Sequence, residues 1–548
     1  MNAKRLRTLA VAALAAIPLL LLAEEKVDLS VVNRIRSEAF NNSKVMDTMF
    51  YLTDVYGPRL TGSPNYKAAG DWAVKRLQEF GLSDVKEETW GPFGRGWQCK
   101  YVEAHMMEPN FAALVAIPLA WTGGTSGSVT GEPVIAPIQN EAEMDKFKGK
   151  LKGKIVLVNE PRELPFPTTA DGRRYTDAEL AEEAQAPEPG RTGFFGAPNA
   201  QRRPGQSGPL MSREERMRFQ AKLTQFYKDE GVLLTISESR GSGGTIFAQS
   251  GGSYDPKQPT AVAGVAMMPE QYNRIARLIQ HNIPVKLEFN IQTEFLNDDP
   301  NSFNITGEIP GTGPHKDQIV MVGGHFDSWH GGTGATDNGA GSAVAMEVVR
   351  VLKAIDQPMD RTIRIGLWGG EEEGLLGSRA YVKQHFGDPE TMKLTVEQGK
   401  LSGYFNLDNG TGKIRGVYLQ GNDMMRPIFE AWLAPFKDLG VSTITIRNTG
   451  GTDHLSFDAV GIPGFQFIQD PMDYETRTHH SNMDVYDRIQ AGDLMQSSAV
   501  IASVVYDAAN RPEMLPRKPL PSPRQRRNGQ GGGNAQPATP TPNAATHQ

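Results

Sequence analysis

Between residues 301 and 510, apolar runs of strand length alternate with stretches of helical spacing, and this rhythm restricts the fold more than any other feature. QIVMVGGH, TIRIGLWGG, LSGYFNLD and PGFQFIQ are nearly continuous apolar runs. The stretches at 342–355, 378–386, 425–439 and 491–510 space their apolar residues for helices. Strands that are apolar on both faces need helices on both faces. The expected fold is therefore α/β, with a mixed, mainly parallel sheet sandwiched by helices. In such sheets functional groups collect where the strands run out at their carboxyl ends.

The residues at those ends are chemically selective. His325 closes the first run, and Asp327 stands two residues on. Glu371, Glu372 and Glu373 follow TIRIGLWGG, and Asp408 ends LSGYFNLD. Asp337 sits in GATDNGAG at the opening of a helix, and His480 and Asp484 follow a strand and a Pro-Met-Asp turn. Each has an ordinary explanation. A lone histidine is usually structural, an aspartate before a helix is usually an N-cap, and an acid run is usually a solvated face. Together they read differently. Asp327 offers a carboxylate to the second ring N–H of a ligating histidine. The two oxygens of Asp337 can bridge two metals. Three acids at a buried strand end repel one another and take up protons unless a cation is present. Divalent ions remove that conflict, with one glutamate as ligand and a neighbour free to accept a proton from water. The ordered set His, Asp, Glu-Glu, Asp, His points to a hydrolytic zinc site.

The stretches GGHFDSW, TDNGAG, EEEGLLGS, NLDNG, GTDHLSF and HHSNMD resemble the co-catalytic zinc exopeptidases of metallopeptidase family 28, the bacterial aminopeptidase and glutamate carboxypeptidase type. YGPRLTGSP extends the likeness to the N-terminal segment, and the doubled His479-His480 is most similar to the plasma glutamate carboxypeptidase branch. The resemblance implies a zinc-peptidase fold of the phosphorylase/hydrolase type and two zinc ions per chain. Asp337 would bridge both ions, His325 and Asp408 would complete one, and Glu372 and His480 the other. Glu371 would be the general base to a hydroxide held between the zincs, and Glu373 a variable position. Asp327 and Asp484 would support ligands from behind, and the Asp337–Asn338 peptide would be cis. Asp453 and His454 would serve as substrate contacts or supports. Where several relatives carry a tyrosine that stabilises the tetrahedral oxyanion, this chain has His479.

The rest of the chain frames that region. Lys4, Arg5 and Arg7 precede an apolar run at 9–22, too short for a span, so residues 1–23 read as a signal peptide. Residues 24–125 form the N-terminal part of the peptidase domain. From 126 to 293 short β-rich runs take over, and they resemble an inserted protease-associated domain; residues 163–212 within it read as a long irregular loop. The main peptidase domain occupies 294–514. Residues 515–548 are too rich in Pro, Arg, Gly and Gln to fold and read as a disordered tail.

Lys and Arg number 57 against 63 Asp and Glu, a net charge of −6, so nucleic acid is not an expected partner. Peptides are the expected substrates, a homodimer is allowed, and no membrane span is expected beyond the signal segment. The single cysteine, Cys99, excludes an intrachain disulfide. An exported chain without disulfides fits a bacterial periplasm or envelope, or secretion. The functional reading is an exopeptidase acting on short peptides, as aminopeptidase, dipeptidase or carboxypeptidase. Two rivals use the same scaffold. A single-zinc glutaminyl cyclase-like enzyme would not need His325 and Asp408 beside Asp337, Glu372 and His480. A non-catalytic receptor or binding protein would have lost ligands, and none is missing.

Overall fold

A computed structural model describes residues 25–189 and 213–523. The signal segment expected at 1–23 lies outside them.

The rhythm read from the sequence becomes one eight-stranded sheet. Its strands are β1 (Ser83–Trp90), β2 (Ser302–Ile309), β3 (Ile319–His325), β4 (Thr362–Trp368), β5 (Leu401–Asn406), β6 (Ile414–Tyr418), β7 (Thr443–Thr445) and β8 (Gly464–Gln469), in the spatial order β1-β2-β4-β3-β5-β8-β6-β7. The four central strands β4, β3, β5 and β8 are parallel, and the pairs β1–β2, β2–β4 and β8–β6 are antiparallel. The sheet is thus mixed with a parallel centre.

Burial on both faces explains the continuous apolar runs. Along β3, Val320 and Val322 join the large core with the helices Ala340–Ile355 and Ala491–Asn510. The alternate residues Ile319 and Met321 join a second core with Tyr381, Val382, Phe386 and Phe457 on the other face. Period-two alternation therefore feeds two cores rather than one core and solvent. The last helix is also pinned by a polar contact. Its buried Gln496 side chain accepts from Ile414 N at 2.9 Å and donates to Ile414 O at 2.8 Å.

Two smaller sheets lie between the first strand and the second. The strands Gly96–Glu108, Ala112–Ala113, Ser128–Gly131 and Lys286–Leu296 form one. Ala116–Pro118, Pro133–Ile135, Ile155–Leu157, Leu234–Glu238 and Ala263–Met267 form the other. Gly96–Glu108 pairs along its length with Lys286–Leu296. The pairing therefore carries these sheets back to Gly96, upstream of the border expected at 126.

Three expectations change in detail. The region is less purely β than its sequence suggests, because Arg213–Glu230 is a helix. Its apolar stripe is narrow, Phe219, Leu223, Phe226 and Tyr227, and charge dominates the rest, which masks the periodicity. The stretch expected to be irregular from 163 contains the helix Asp177–Ala184, closed by a capping box between Thr176 and Glu179. The expected disordered tail is anchored at its start. Leu515 is buried, Arg517 donates to Leu401 O at 2.6 Å, and Lys518 pairs with Asp458 at 2.6 Å. Residues 524–548 lie outside the described residues.

Candidate metal centre

The strand ends meet at one point. His325 is the last residue of β3, Glu371–Glu373 follow β4, and Asp408 lies two residues beyond β5. Asp337 is carried by the turn Ala335–Gly339 that leads into the helix Ala340–Ile355. That turn presses against the end of β5. Asn338 Nδ2 donates to Leu407 O at 2.9 Å, and a Cβ on Gly341 would lie 2.1 Å from the same carbonyl. Only glycine fits there. The Asp337–Asn338 peptide is cis.

Asp337 stands at the centre. Its Oδ1 is 3.2 Å from His325 Nε2, which is 3.3 Å from Asp408 Oδ1. Its Oδ2 is 3.1 Å from His480 Nε2, which is 2.9 Å from Glu372 Oε2. Two ligands about 2.1 Å from a tetrahedral zinc lie about 3.4 Å apart, close to these separations. The single carboxylate therefore faces one histidine–carboxylate pair with each oxygen. Donor atoms of His325, Asp337 and Glu372 lie within 4.8 Å of one another, as do those of Asp337, His479 and His480. Neither Asp337 Oδ2 nor Glu372 Oε1, both buried, takes part in a hydrogen bond of sound geometry. Oxygens left in this state fit a cation, and the donor set is of the nitrogen and oxygen type that zinc prefers.

The supports differ from the expectation in one respect. Asp327 was expected to give its carboxylate to the His325 ring, but its backbone carbonyl is closer, 3.1 Å from Nδ1 against 3.6 Å for Oδ1. The carboxylate closes the glutamate turn instead. It accepts from Glu371 N and Glu372 N at 3.2 Å and from Thr61 Oγ1 at 3.0 Å. Asp484 does the same for the Asp337 turn, accepting from Thr336 Oγ1 at 2.8 Å and Asp337 N at 3.3 Å. Asp453 and His454 are fully buried. That burial suits support from behind better than contact with a substrate.

Charge is strongly unbalanced here. Burial raises Glu371 well above the carboxylate range, and Asp408, Asp453 and Glu372 add to this against the pull of His325. Burial and then Asp337 push Glu372 up to about 7. Burial also takes Asp453 and Asp484 to about 7. Asp337 moves the other way. Burial opposes its charge, yet the His325 and His480 rings that lie against it hold it well below the usual range. Burial likewise disfavours a charged His480, but Glu372 and Asp337 outweigh it and push His480 up to about 11. Without a metal, the histidines hold protons where cations would sit.

Arg59 and Gln249 are not among the residues singled out in the sequence, whereas His479 is. Arg59 is wholly buried and gives its guanidinium to carbonyls, Phe326 O and Leu52 O at 2.7 Å and Gly334 O at 2.9 Å. It tethers the helix leading into the site to both the His325 and the Asp337 loops. YGPRLTGSP hinted at it through a charged residue in an otherwise tight turn. His479 stacks between Tyr474 and His480, with ring centroids 4.7 and 3.7 Å away, and its Nε2 is 3.7 Å from Asp337 Oδ2. Gln249, more than 200 residues earlier in the chain, places its amide 2.9 Å from His480 Nδ1. No motif announces a contact across that separation.

The comparisons with known proteins agree with this geometry. Residues 304–505 match the model of peptidase family M28. Carboxypeptidase Q of Mus musculus is 26% identical over 475 residues, which cover 85% of this chain and 86% of the relative. A peptidase M28 precursor from Shewanella amazonensis has a similar fold, with a TM-score of 0.63, 23% identity, and coverage of 90% of this chain and 98% of that one. A zinc aminopeptidase from Bacillus subtilis aligns at a TM-score of 0.53 and 21% identity over 85% of this chain and 94% of that one. Those two likenesses concern the fold, whereas the match at 304–505 spans His325, Asp337, Glu371, Glu372, Asp408 and His480 alike. Residues 304–505 thus form a domain of peptidase family M28, and the chain that carries it is a metallopeptidase.

Proposed function

We propose that the chain is an exopeptidase that holds two zinc ions and removes a terminal residue from short peptides. The observation that carries this reading is Asp337, whose two oxygens lie 3.2 and 3.1 Å from His325 and His480, each of which meets a second carboxylate. His325 and Asp408 would hold one ion, Glu372 and His480 the other, and Asp337 both. Zinc bound there supplies Lewis acidity, polarising the scissile carbonyl and easing loss of a proton from water. Glu371 accepts that proton and passes it to the leaving amine, as the buried carboxylate beside Glu372 that the proposed ligand set leaves free. Asp327 keeps Glu371 and Glu372 in register by binding both of their amides. His479 faces the same space and offers a ring N–H to the developing oxyanion.

The preference for short substrates is supported by a loop between two strands of the smaller sheets, residues 239–262, part of which stands beside the site. Ile246, Phe247 and Ala248 pair with the loop carrying His480, and Arg240 reaches His479 O at 3.5 Å. We read residues 126–293 as an inserted protease-associated unit that walls the cleft. Likeness to carboxypeptidase Q over most of both chains favours free dipeptides or peptides with a free carboxylate as first substrates to try. The basic and apolar start of the sequence supports export, and among the described residues no helix is long and apolar enough to cross a membrane.

The test is zinc stoichiometry together with a substrate panel of aminoacyl-nitroanilides, free dipeptides and N-blocked peptides. Two zincs per chain with release of a terminal residue are expected. Glu371→Ala should keep both zincs and lose about 10²–10⁴-fold in kcat. Undiminished turnover in that variant would remove Glu371 from the mechanism, and one zinc per chain would favour a cyclase-like reaction.

A further inference from the structure

We infer that Gln249, supplied by the region of the smaller sheets, is the positioning residue of His480, and that the metal centre is incomplete without it. The inference rests on the proposed reading of His480 as a zinc-binding side chain and deepens it.

The geometry has two parts. First, the backbone is locked in place. Phe247 and Ser481 form an antiparallel bridge, Ala248 N donates to His480 O at 3.1 Å, and Asn482 N donates to Ile246 O at 2.9 Å. The Asn482 side chain adds two contacts, accepting from Ile246 N at 2.7 Å and donating to Gly244 O at 3.1 Å. His480 itself has φ +66°, the left-handed region that a residue with a Cβ enters at a cost. The short ladder holds it there.

Second, the Gln249 side chain meets the ring on the side away from the acids. His480 Nε2 faces Glu372 and Asp337, while Nδ1 lies 2.9 Å from the Gln249 amide. A histidine that binds a metal through Nε2 keeps its proton on Nδ1, so its partner must accept. Gln249 has an oxygen to offer once its amide makes a half-turn, which exchanges oxygen and nitrogen without moving the chain. The other site histidine is served in the same way, its Nδ1 lying 3.1 Å from the carbonyl of Asp327. Gln249 is thus the counterpart of Asp327 O, delivered from a different part of the fold.

Because Gln249 is solvent-exposed, water can partly replace it, and the effect belongs at the lower end of the range for such partners, about tenfold in metal affinity. Exposure also means that substitution leaves the core untouched. The experiment compares the full-length wild type with Gln249→Leu and Gln249→Glu. Zinc content and dissociation constants are measured by competition with a chelating dye, and unfolding temperature is measured on the metal-free proteins. The expected result is about tenfold weaker binding of one zinc in Gln249→Leu, near-wild-type binding in Gln249→Glu, and equal metal-free unfolding temperatures in all three. Equal zinc affinity in the wild type and Gln249→Leu overturns the inference and leaves the two-zinc reading standing. Weaker zinc with a lower metal-free unfolding temperature, not restored by Gln249→Glu, makes Gln249 a structural residue and also overturns it. A wild type that binds no zinc overturns both.

Discussion

In the proposed ligand set, zinc displaces a proton that His480 holds in the metal-free protein. The ring is pushed up to about 11, since Glu372 and Asp337 outweigh the effect of burial. At pH 8 it is therefore charged before zinc arrives and neutral afterwards. Binding should release at least one proton from this residue, and affinity should rise with pH up to about 11. Below about pH 7, Glu372 also carries a proton that must leave. Calorimetric titration of zinc in buffers of different ionisation heat reads the number directly. A binding enthalpy independent of buffer would contradict the assignment of His480.

At the level of elements, the sequence made the centre legible and the supports obscure. Strand ends are readable because apolar runs stop abruptly at Gly-Gly-His, at Gly-Gly-Glu and at Asn-Leu-Asp, and parallel topology gathers such ends. Supports act through backbone groups and long-range pairing, which leave no spacing to read. Arg59 binds carbonyls alone, and Gln249 reaches across from the loop between the strands Leu234–Glu238 and Ala263–Met267. The helix Asp177–Ala184 was hidden by its Pro- and Gly-rich neighbours, and Arg174 is one of the residues that dock it, beside Arg447, which pairs with Glu183 at 2.6 Å. Arg174 is 2.9 Å from the buried Asp470 and 2.7 Å from Asp493. Arg174→Ala should free the segment around 163–189 for cleavage while zinc content stays unchanged, because Asp470 keeps Arg415 at 3.0 Å. Limited proteolysis with mapping of the cut sites checks this. An unchanged cleavage rate would show that the helix docks by other contacts.

Across the whole molecule, the junction between the smaller sheets and the main sheet carries a pH dependence. His330 Nε2 donates to Pro118 O at 2.6 Å, and its ring packs edge-on against Trp97 and Trp329. Burial lowers its pKa to about 4, against an ordinary value near 6.5. The folded protein thus binds fewer protons here than the unfolded chain, so stability rises with pH across this window. The contribution is complete above about pH 6.5 and is lost as the pH falls towards about 4, amounting to about 3 kcal/mol. Urea unfolding of the metal-free protein between pH 7 and 4 should show this slope, and His330→Asn should flatten it. Equal slopes in the two proteins would move the effect to other groups.

The ladder between residues 246–248 and 480–482 has a consequence for how such a chain diverges. Residues 246–248 and the loop that carries His480 are joined by one antiparallel bridge and move as one small structure. A substitution that reshapes the wall to admit a new peptide also shifts the histidine. Lineages that change substrate will therefore carry paired changes on both sides of the ladder, or insertions placed beyond it, so that selectivity drifts without the loss of zinc.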